Sequence, residues 1–215
     1  MTNQGHTIYS KKVLSIYDFW VLGISNHMIW KCPTKKLLKH FSQNLSSNHL
    51  DVGVGSGYFL DHCIFPMTSV RLALMDLNPH SLAKTAERIR RYSPECYIQN
   101  ILEPLSHHPP HFDSISLNYV LHCLPGSISS KAVIFDHLSK VLSPSGKVFG
   151  STLLRPDEKT SFAARKLMRF YNRKKIFSNE NDSFEDLQAC LSKKYESYQI
   201  QKIGCVALFS ATKKK

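Results

Sequence analysis

The sequence predicts an α/β fold built on a doubly wound, mostly parallel sheet, and three observations predict it. From Leu50 onward, short apolar runs suited to strands alternate with helical stretches. The strand-like runs, such as "VRLALMDL" (residues 70–77), are apolar on both faces, as strands covered by helices on two sides must be. A glycine-rich turn, "DVGVGSGY" (51–58), directly follows the first run and opens a helix. That is where such sheets bind nucleotides.

The elements follow in order. Residues 1–47 are aromatic and irregular, and are expected to form a helical lid segment ahead of a domain spanning 48–215. Within the segment, "VLSIYDFWVLGISNHMIW" (13–30) reads as one or two apolar helices. "PTKKLLKHF" (33–41) reads as another, opened by Pro33-Thr34. "LDVGV" is the first strand, and "VRLALMDL" is the second, ending on Asp76. "PHSLAKTAERIRRY" (79–92) places Leu82, Ala86 and Ile89 on one helical face. "CYIQNI" (96–101) is the third strand and "FDSISLNYVL" (112–121) the fourth, across a loop holding "HHPPH" (107–111). "SSKAVIFDHLSKVL" (129–142) is an amphipathic helix with Val133, Ile134, Leu138 and Val141 inward. It breaks at "SPSG" (143–146) before the strand "KVFGSTLL" (147–154). A helical region lies around 158–192. The last two β-rich runs, 195–204 and 205–213, meet at Gly204 so tightly that they must be antiparallel.

The chain has 215 residues and is 42% hydrophobic, which suits one globular domain with a substantial core. No run of about 18 apolar residues suggests a membrane span. The start, "MTNQGHTIYSKK", lacks the apolar core of a signal peptide, so a cytoplasmic location is expected. Six cysteines stand at 32, 63, 96, 123, 190 and 205 with no C-x-x-C pair, and read as reduced thiols. Lys and Arg exceed Asp and Glu by 28 to 16, a net charge of +12 that favours anionic partners. The charge is spread rather than blocky. A solvated basic surface is the favoured reading, and a nucleic-acid groove stays open beside it.

The glycine turn is not a phosphate-binding loop of the G-x-x-x-x-G-K-[ST] kind, because no Lys-Ser or Lys-Thr follows. It also fails the G-x-G-x-x-G dinucleotide pattern, since the sixth position from Gly53 is Tyr58. "LDVGVGSGYFL" instead resembles the cofactor loop of class I S-adenosylmethionine-dependent methyltransferases, in which an acid precedes a G-x-G-x-G turn. The resemblance covers roughly residues 48–213. It implies a Rossmann-like seven-stranded sheet, mostly parallel with an antiparallel C-terminal strand, and S-adenosyl-L-methionine as cofactor. It places Asp51, Gly53, Gly55 and Gly57 under the amino-acid part of that cofactor. Asp76, with Leu77, takes the place of the ribose-binding acid. Asn100 and Ile101 lie near the adenine, where the family usually has an Asp, and Asn118 follows the fourth strand. "LSPSGKVFGSTLL" is similar to the family's L-x-P-G-G-x-x-x-G turn, with Ser145 replacing one glycine.

The reaction class follows from the resemblance: methyl transfer by in-line displacement, in which the enzyme mainly holds three atoms in line. A base is needed only for an acceptor that arrives protonated. His122 is the candidate, with Tyr119 beside it, and a packed His without chemical duty is the alternative. His107, His108 and His111 could bind metal in principle, but the intervening prolines and the lack of an acidic partner argue against it. "LNYV" has no (D/N)-P-P-(Y/F/W) motif, and no Pro-Cys nucleophile exists, so the best-marked DNA-methylating enzymes are excluded. The aromatic Tyr17, Trp20 and Trp30 are expected to roof a pocket for a small, partly apolar or aromatic acceptor. RNA or protein methylation, and a non-catalytic scaffold, are the alternatives.

Overall fold

A computed structural model describes residues 25–67, 69–106 and 110–213. Its strands are β1 (Asn48–Val52), β2 (Arg71–Asp76), β3 (Glu95–Ile98), β4 (Phe112–Asn118), β5 (Leu142–Leu153), β6 (Ser197–Ile203) and β7 (Val206–Thr212). They form one sheet in the order β3-β2-β1-β4-β5-β7-β6. The pairs β2–β3, β1–β2, β1–β4 and β4–β5 are parallel. β7 runs antiparallel to both of its neighbours, to β6 as the tight turn at Gly204 requires and to β5 as well. The chain order reverses between β1 and β4, so ligands are expected at the carboxyl ends of those strands.

Helices cover both faces because the strands are apolar on both. On one face lie α1 (Thr34–Asn44) and α3 (Pro79–Arg88), with the five-residue α2 (Tyr58–His62) between them in sequence. Phe41, Leu45, Leu60, Leu82 and Ile89 of that layer pack on Leu72, Leu74 and Phe149. The other face carries Leu50, Val52, Ala73, Met75, Ile115 and Leu117. They are covered by α4 (Ile128–Lys131), α5 (Val133–Ser139) and α7 (Phe184–Lys194). α6 (Phe162–Arg173) turns Ala164 and Met168 onto a smaller cluster with Trp30, Cys32 and Cys205. Asn78, Ser161 and Ser183 cap α3, α6 and α7, each side chain accepting a backbone N–H of the first turn. Each such cap is worth about 1 kcal/mol.

Three details differ from the sequence reading. The helix expected over 129–142 is broken into α4 and α5, and Val133 at the break is exposed rather than inward. β5 begins at Leu142, so "SPSG" lies inside the strand, with a register shift against β4 and Ser145 in the left-handed region. α1, counted with the lid segment, is core: Phe41 stacks on Phe59 at 5.6 Å and meets Phe149 edge-on at 5.5 Å. Tyr17 and Trp20 fall outside the described residues.

α4 is tied to the loop before α7 by a buried ion pair. Lys131 Nζ lies 2.6 Å from Asp182 Oδ2, and both side chains are fully buried. The same ammonium donates to the Ser178 carbonyl at 2.6 Å.

Candidate active site

A cavity of about 490 Å³ opens at the carboxyl ends of β1, β2 and β4. Its walls are the glycine turn (Asp51–Ser56), the end of β2 and the residues beyond it (Met75–Asn78), the stretch Gln99–Glu103, and Asn118–Val120 at and just past the end of β4. Tyr58, Phe59, Cys123, Leu124, Pro125 and Ile176 add apolar surface.

The turn needs its glycines for two different reasons. Gly53 has φ 71°, and a Cβ there would lie 2.3 Å from Val120 Cγ2, so the turn could not pack against Val120 with a side chain. Gly55 has φ 54° and lines the cavity, and a Cβ there would meet nothing within 4 Å. Space is kept open in front of that backbone. Gly57 is not a cavity wall; it starts α2 and packs against Thr85.

Asp51, next to the last residue of β1, is 7% exposed, a cavity wall whose Oδ1 accepts from the Ser116 hydroxyl. Burial pushes its carboxyl up to about 7. Asp76 ends β2, accepts the Asn78 N–H at 2.8 Å, and is also held by the N–H groups of Val54, Gly55 and Leu77. Burial raises its pKa, and those amides oppose the rise. The second acid therefore shapes the glycine turn as well as facing the cavity. Leu77, nearly half exposed, and the buried Ile101 are both walls. Asn100 donates to Glu103 Oε1 at 2.7 Å and accepts the Leu102 N–H at 3.1 Å.

Asn118 accepts the Ser151 hydroxyl at 3.0 Å, but its Nδ2 is buried with no partner among the described residues. A buried donor left unpaired costs about 1–3 kcal/mol, and Asn118 is one of the cavity walls. Tyr119 follows in the left-handed region at φ 57°, unusual for a bulky residue. Its hydroxyl donates to Asn26 Oδ1 at 2.7 Å.

Besides Gly57, two further expected residues lie outside the cavity walls. His122 is 3% exposed and is not a cavity wall. Its Nδ1 accepts the Leu153 N–H at 3.3 Å, and its ring meets Phe177 edge-on at 4.6 Å. Burial, with Lys131 adding to it, pushes the imidazole down to about 3, so the ring is neutral. Trp30 is also buried away from the cavity, against Phe177 and under the β6–β7 turn, where its carbonyl accepts the Cys205 N–H. His107 and His108 lie outside the described residues. Gln99, Glu103, Cys123 and Ile176, cavity walls all, carried no signal of spacing that could have found them.

The charge inside the cavity runs opposite to the charge of the chain. Asp51, Asp76 and Glu103 are walls, while no Lys, Arg or His among the described residues is one. Such a site suits a cationic ligand and offers nothing to a phosphate.

Sheet order, glycine turn and acidic cavity together define a nucleoside-binding α/β enzyme of the Rossmann-like kind. A family model described as "Methyltransferase domain" matches residues 50–148. Demethylluteothin O-methyltransferase of Streptomyces thioluteus is 36% identical over 207 residues, 96% of this chain and 90% of that protein. The physcion biosynthesis cluster O-methyltransferase of Aspergillus chevalieri is 41% identical over 216 residues, 100% of this chain and 97% of that protein. The N-methyltransferase NodS of Bradyrhizobium japonicum, solved with S-adenosyl-L-homocysteine, shares the fold at a TM-score of 0.66, 18% identity and 100% coverage of both chains. The chain belongs to the class I S-adenosylmethionine-dependent methyltransferases, and its cofactor is S-adenosylmethionine. Among the described residues no helix is long and apolar enough to cross a membrane.

Proposed function

We propose that the chain methylates a small, partly apolar or aromatic metabolite on a hydroxyl oxygen. The observation that carries this is the lining of the cavity: three acids, aromatic and aliphatic walls, and no cationic wall among the described residues. The relatives named as O-methyltransferases of luteothin and physcion chemistry support the same class of acceptor. A nucleic-acid acceptor would need its phosphates neutralised beside the reacting base, and the cavity walls provide no cation for that.

The residues fit the cofactor on two counts, the open space before Gly55 and the unpaired Asn118 Nδ2. When bound, S-adenosylmethionine supplies a methyl group already made electrophilic by a sulfonium. Asp51 and Asn118 hold its amino-acid end, with Gly53 and Gly55 allowing close approach of the backbone. Asp76 accepts from the ribose hydroxyls, and Leu77, Asn100 and Ile101 border the base. Tyr58, Phe59, Tyr119 and Ile176 exclude water and orient the acceptor, and positioning of this kind supplies about 7–11 kcal/mol. Tyr119, a cavity wall beside Asn118, borders the acceptor. His122, neutral and outside the lining, takes the packing role.

The test is incubation with isotope-labelled S-adenosylmethionine and panels of phenols, amines and short RNAs. Label in a phenolic or enolic methyl ether is expected. Label entering RNA alone, with activity falling steeply as salt rises, would refute the proposal. In the same assay Asp76→Ala is expected to raise the cofactor Kd about tenfold or more.

A further inference from the structure

We propose that His49 is a positioning residue that sets the charge state and orientation of Asp51 through a buried chain of hydrogen bonds starting at Ser46. The inference rests on the reading that Asp51 meets the cofactor.

The chain lies in one layer between the sheet and α1. His49 and Asp51 alternate on β1 and so share a face. Their register partners on β4 are Ser114 and Ser116. Ser46 Oγ lies 2.7 Å from Ser114 Oγ, and Ser114 Oγ lies 2.8 Å from His49 Nδ1. His49 Nε2 lies 3.0 Å from Ser116 Oγ, which donates to Asp51 Oδ1. Ser46 is only half-buried, whereas His49 is fully buried. Phe149 stacks on its ring at 5.8 Å and Phe41 meets it edge-on at 5.7 Å.

Counting donors shows what the chain can do. An ionised Asp51 only accepts, so Ser116 donates to it. Ser116 then accepts from His49 Nε2–H, and the bare Nδ1 accepts from Ser114. The Ser114 oxygen accepts the Ser46 N–H at 2.9 Å. A protonated Asp51 reverses every step. It donates to Ser116, which donates to Nε2, and Nδ1–H donates to Ser114. Ser114 donates to Ser46, whose hydroxyl donates to the Asn48 carbonyl at 2.9 Å. Each group is satisfied in both directions. The two states differ by one proton, taken from water and held on Asp51, and by the move of the imidazole proton from Nε2 to Nδ1.

The extra proton rests on Asp51 and not on the imidazole, because a charged ring between two phenyl groups is costly. Burial pushes His49 down to about 3 and Asp51 up to about 7, in agreement with that order. The titratable groups around the pair are Asp76 on β2, the Cys63 thiol after α2, and His40 on α1, whose Nε2 is held by the Phe209 carbonyl. When a cationic ligand ionises Asp51, the chain settles with all donors pointing at its carboxylate.

The experiment is nitrogen NMR of the histidine-labelled full chain, without ligand, from pH 5 to pH 9. Expected is a neutral His49 that changes from the Nδ1–H to the Nε2–H tautomer as pH rises, at the midpoint read from the Asp51 carboxyl carbon. Asp51→Asn should abolish the change. Ser116→Ala should weaken S-adenosylhomocysteine binding about tenfold at pH 7 and less at pH 9, and Ser116→Thr should restore it. A tautomer that stays fixed while Asp51 titrates, or an imidazolium signal, would overturn the role of His49 even where binding needs Asp51. A tautomer change alongside binding indifferent to Asp51→Asn would instead overturn the placing of Asp51 at the cofactor.

Discussion

Asp51→Asn should strengthen the fold and weaken the site at once. In the unfolded chain Asp51 ionises at about 4, the ordinary carboxylate value. In the fold, burial pushes it up to about 7. Between these values the folded protein holds a proton that the unfolded chain has released. Stability from this group is therefore greatest below about pH 4 and falls as pH rises toward 7. The gap from 3.8 to about 7, at about 1.4 kcal/mol per pH unit, makes an ionised Asp51 cost about 4 kcal/mol above pH 7. Asparagine keeps the shape and the acceptor for Ser116 without the charge. It should recover about 2–4 kcal/mol at pH 8 and almost nothing at pH 4, since the group is then neutral in both chains. For a chain of this size that is a rise in Tm of about 5–15 °C at pH 8. His49 and His122, pushed down to about 3 in the fold, make stability rise with pH across this window because they protonate in the unfolded chain, but both chains carry them, so their contribution cancels in the comparison. Urea unfolding of both chains from pH 4 to pH 8 measures the effect. Calorimetry with S-adenosylhomocysteine should show binding at least about tenfold weaker in the variant. Parallel stability curves for the two chains would refute the buried-acid argument. Unchanged binding would remove Asp51 from the cofactor.

Gly55→Val should leave a folded chain, destabilised by about 1–2 kcal/mol through its left-handed φ, that no longer binds S-adenosylhomocysteine in thermal-shift assays. Gly53→Ala should instead lose more stability than Gly55→Ala, because its Cβ meets Val120 at 2.3 Å, and urea unfolding of the pair ranks them. His122→Gln should keep kcat within a few-fold, since the ring is not a cavity wall, and a loss of about a hundredfold or more would restore it as a base. Lys131→Met should leave Asp182 buried without its ammonium and cost about 3–5 kcal/mol in urea unfolding, which Lys131→Met with Asp182→Leu should largely recover.

The alternation of strands and helices, the glycine turn and the antiparallel end were legible in the sequence because each is written locally. Strand pattern, turn chemistry and a tight connection depend on neighbours a few residues apart. The same holds for Asp51, Gly55, Asp76 and Asn118, which lie near the ends of, or follow, strands whose carboxyl ends converge in any sheet of this order. What the sequence did not disclose was direction. Whether His122 turns into the cavity or toward Phe177, and whether Trp30 roofs a pocket or plugs the β6–β7 turn, depends on which neighbour fills the space first. Val133 and Ile134 are adjacent and equally apolar, yet one is exposed and the other buried, because the helix breaks between α4 and α5. The link from His49 to Asp51 passes through Ser116, 67 residues from His49 along the chain. Only the register of β1 on β4 brings those groups within hydrogen-bond reach, and register is a property of the sheet, not of either strand alone.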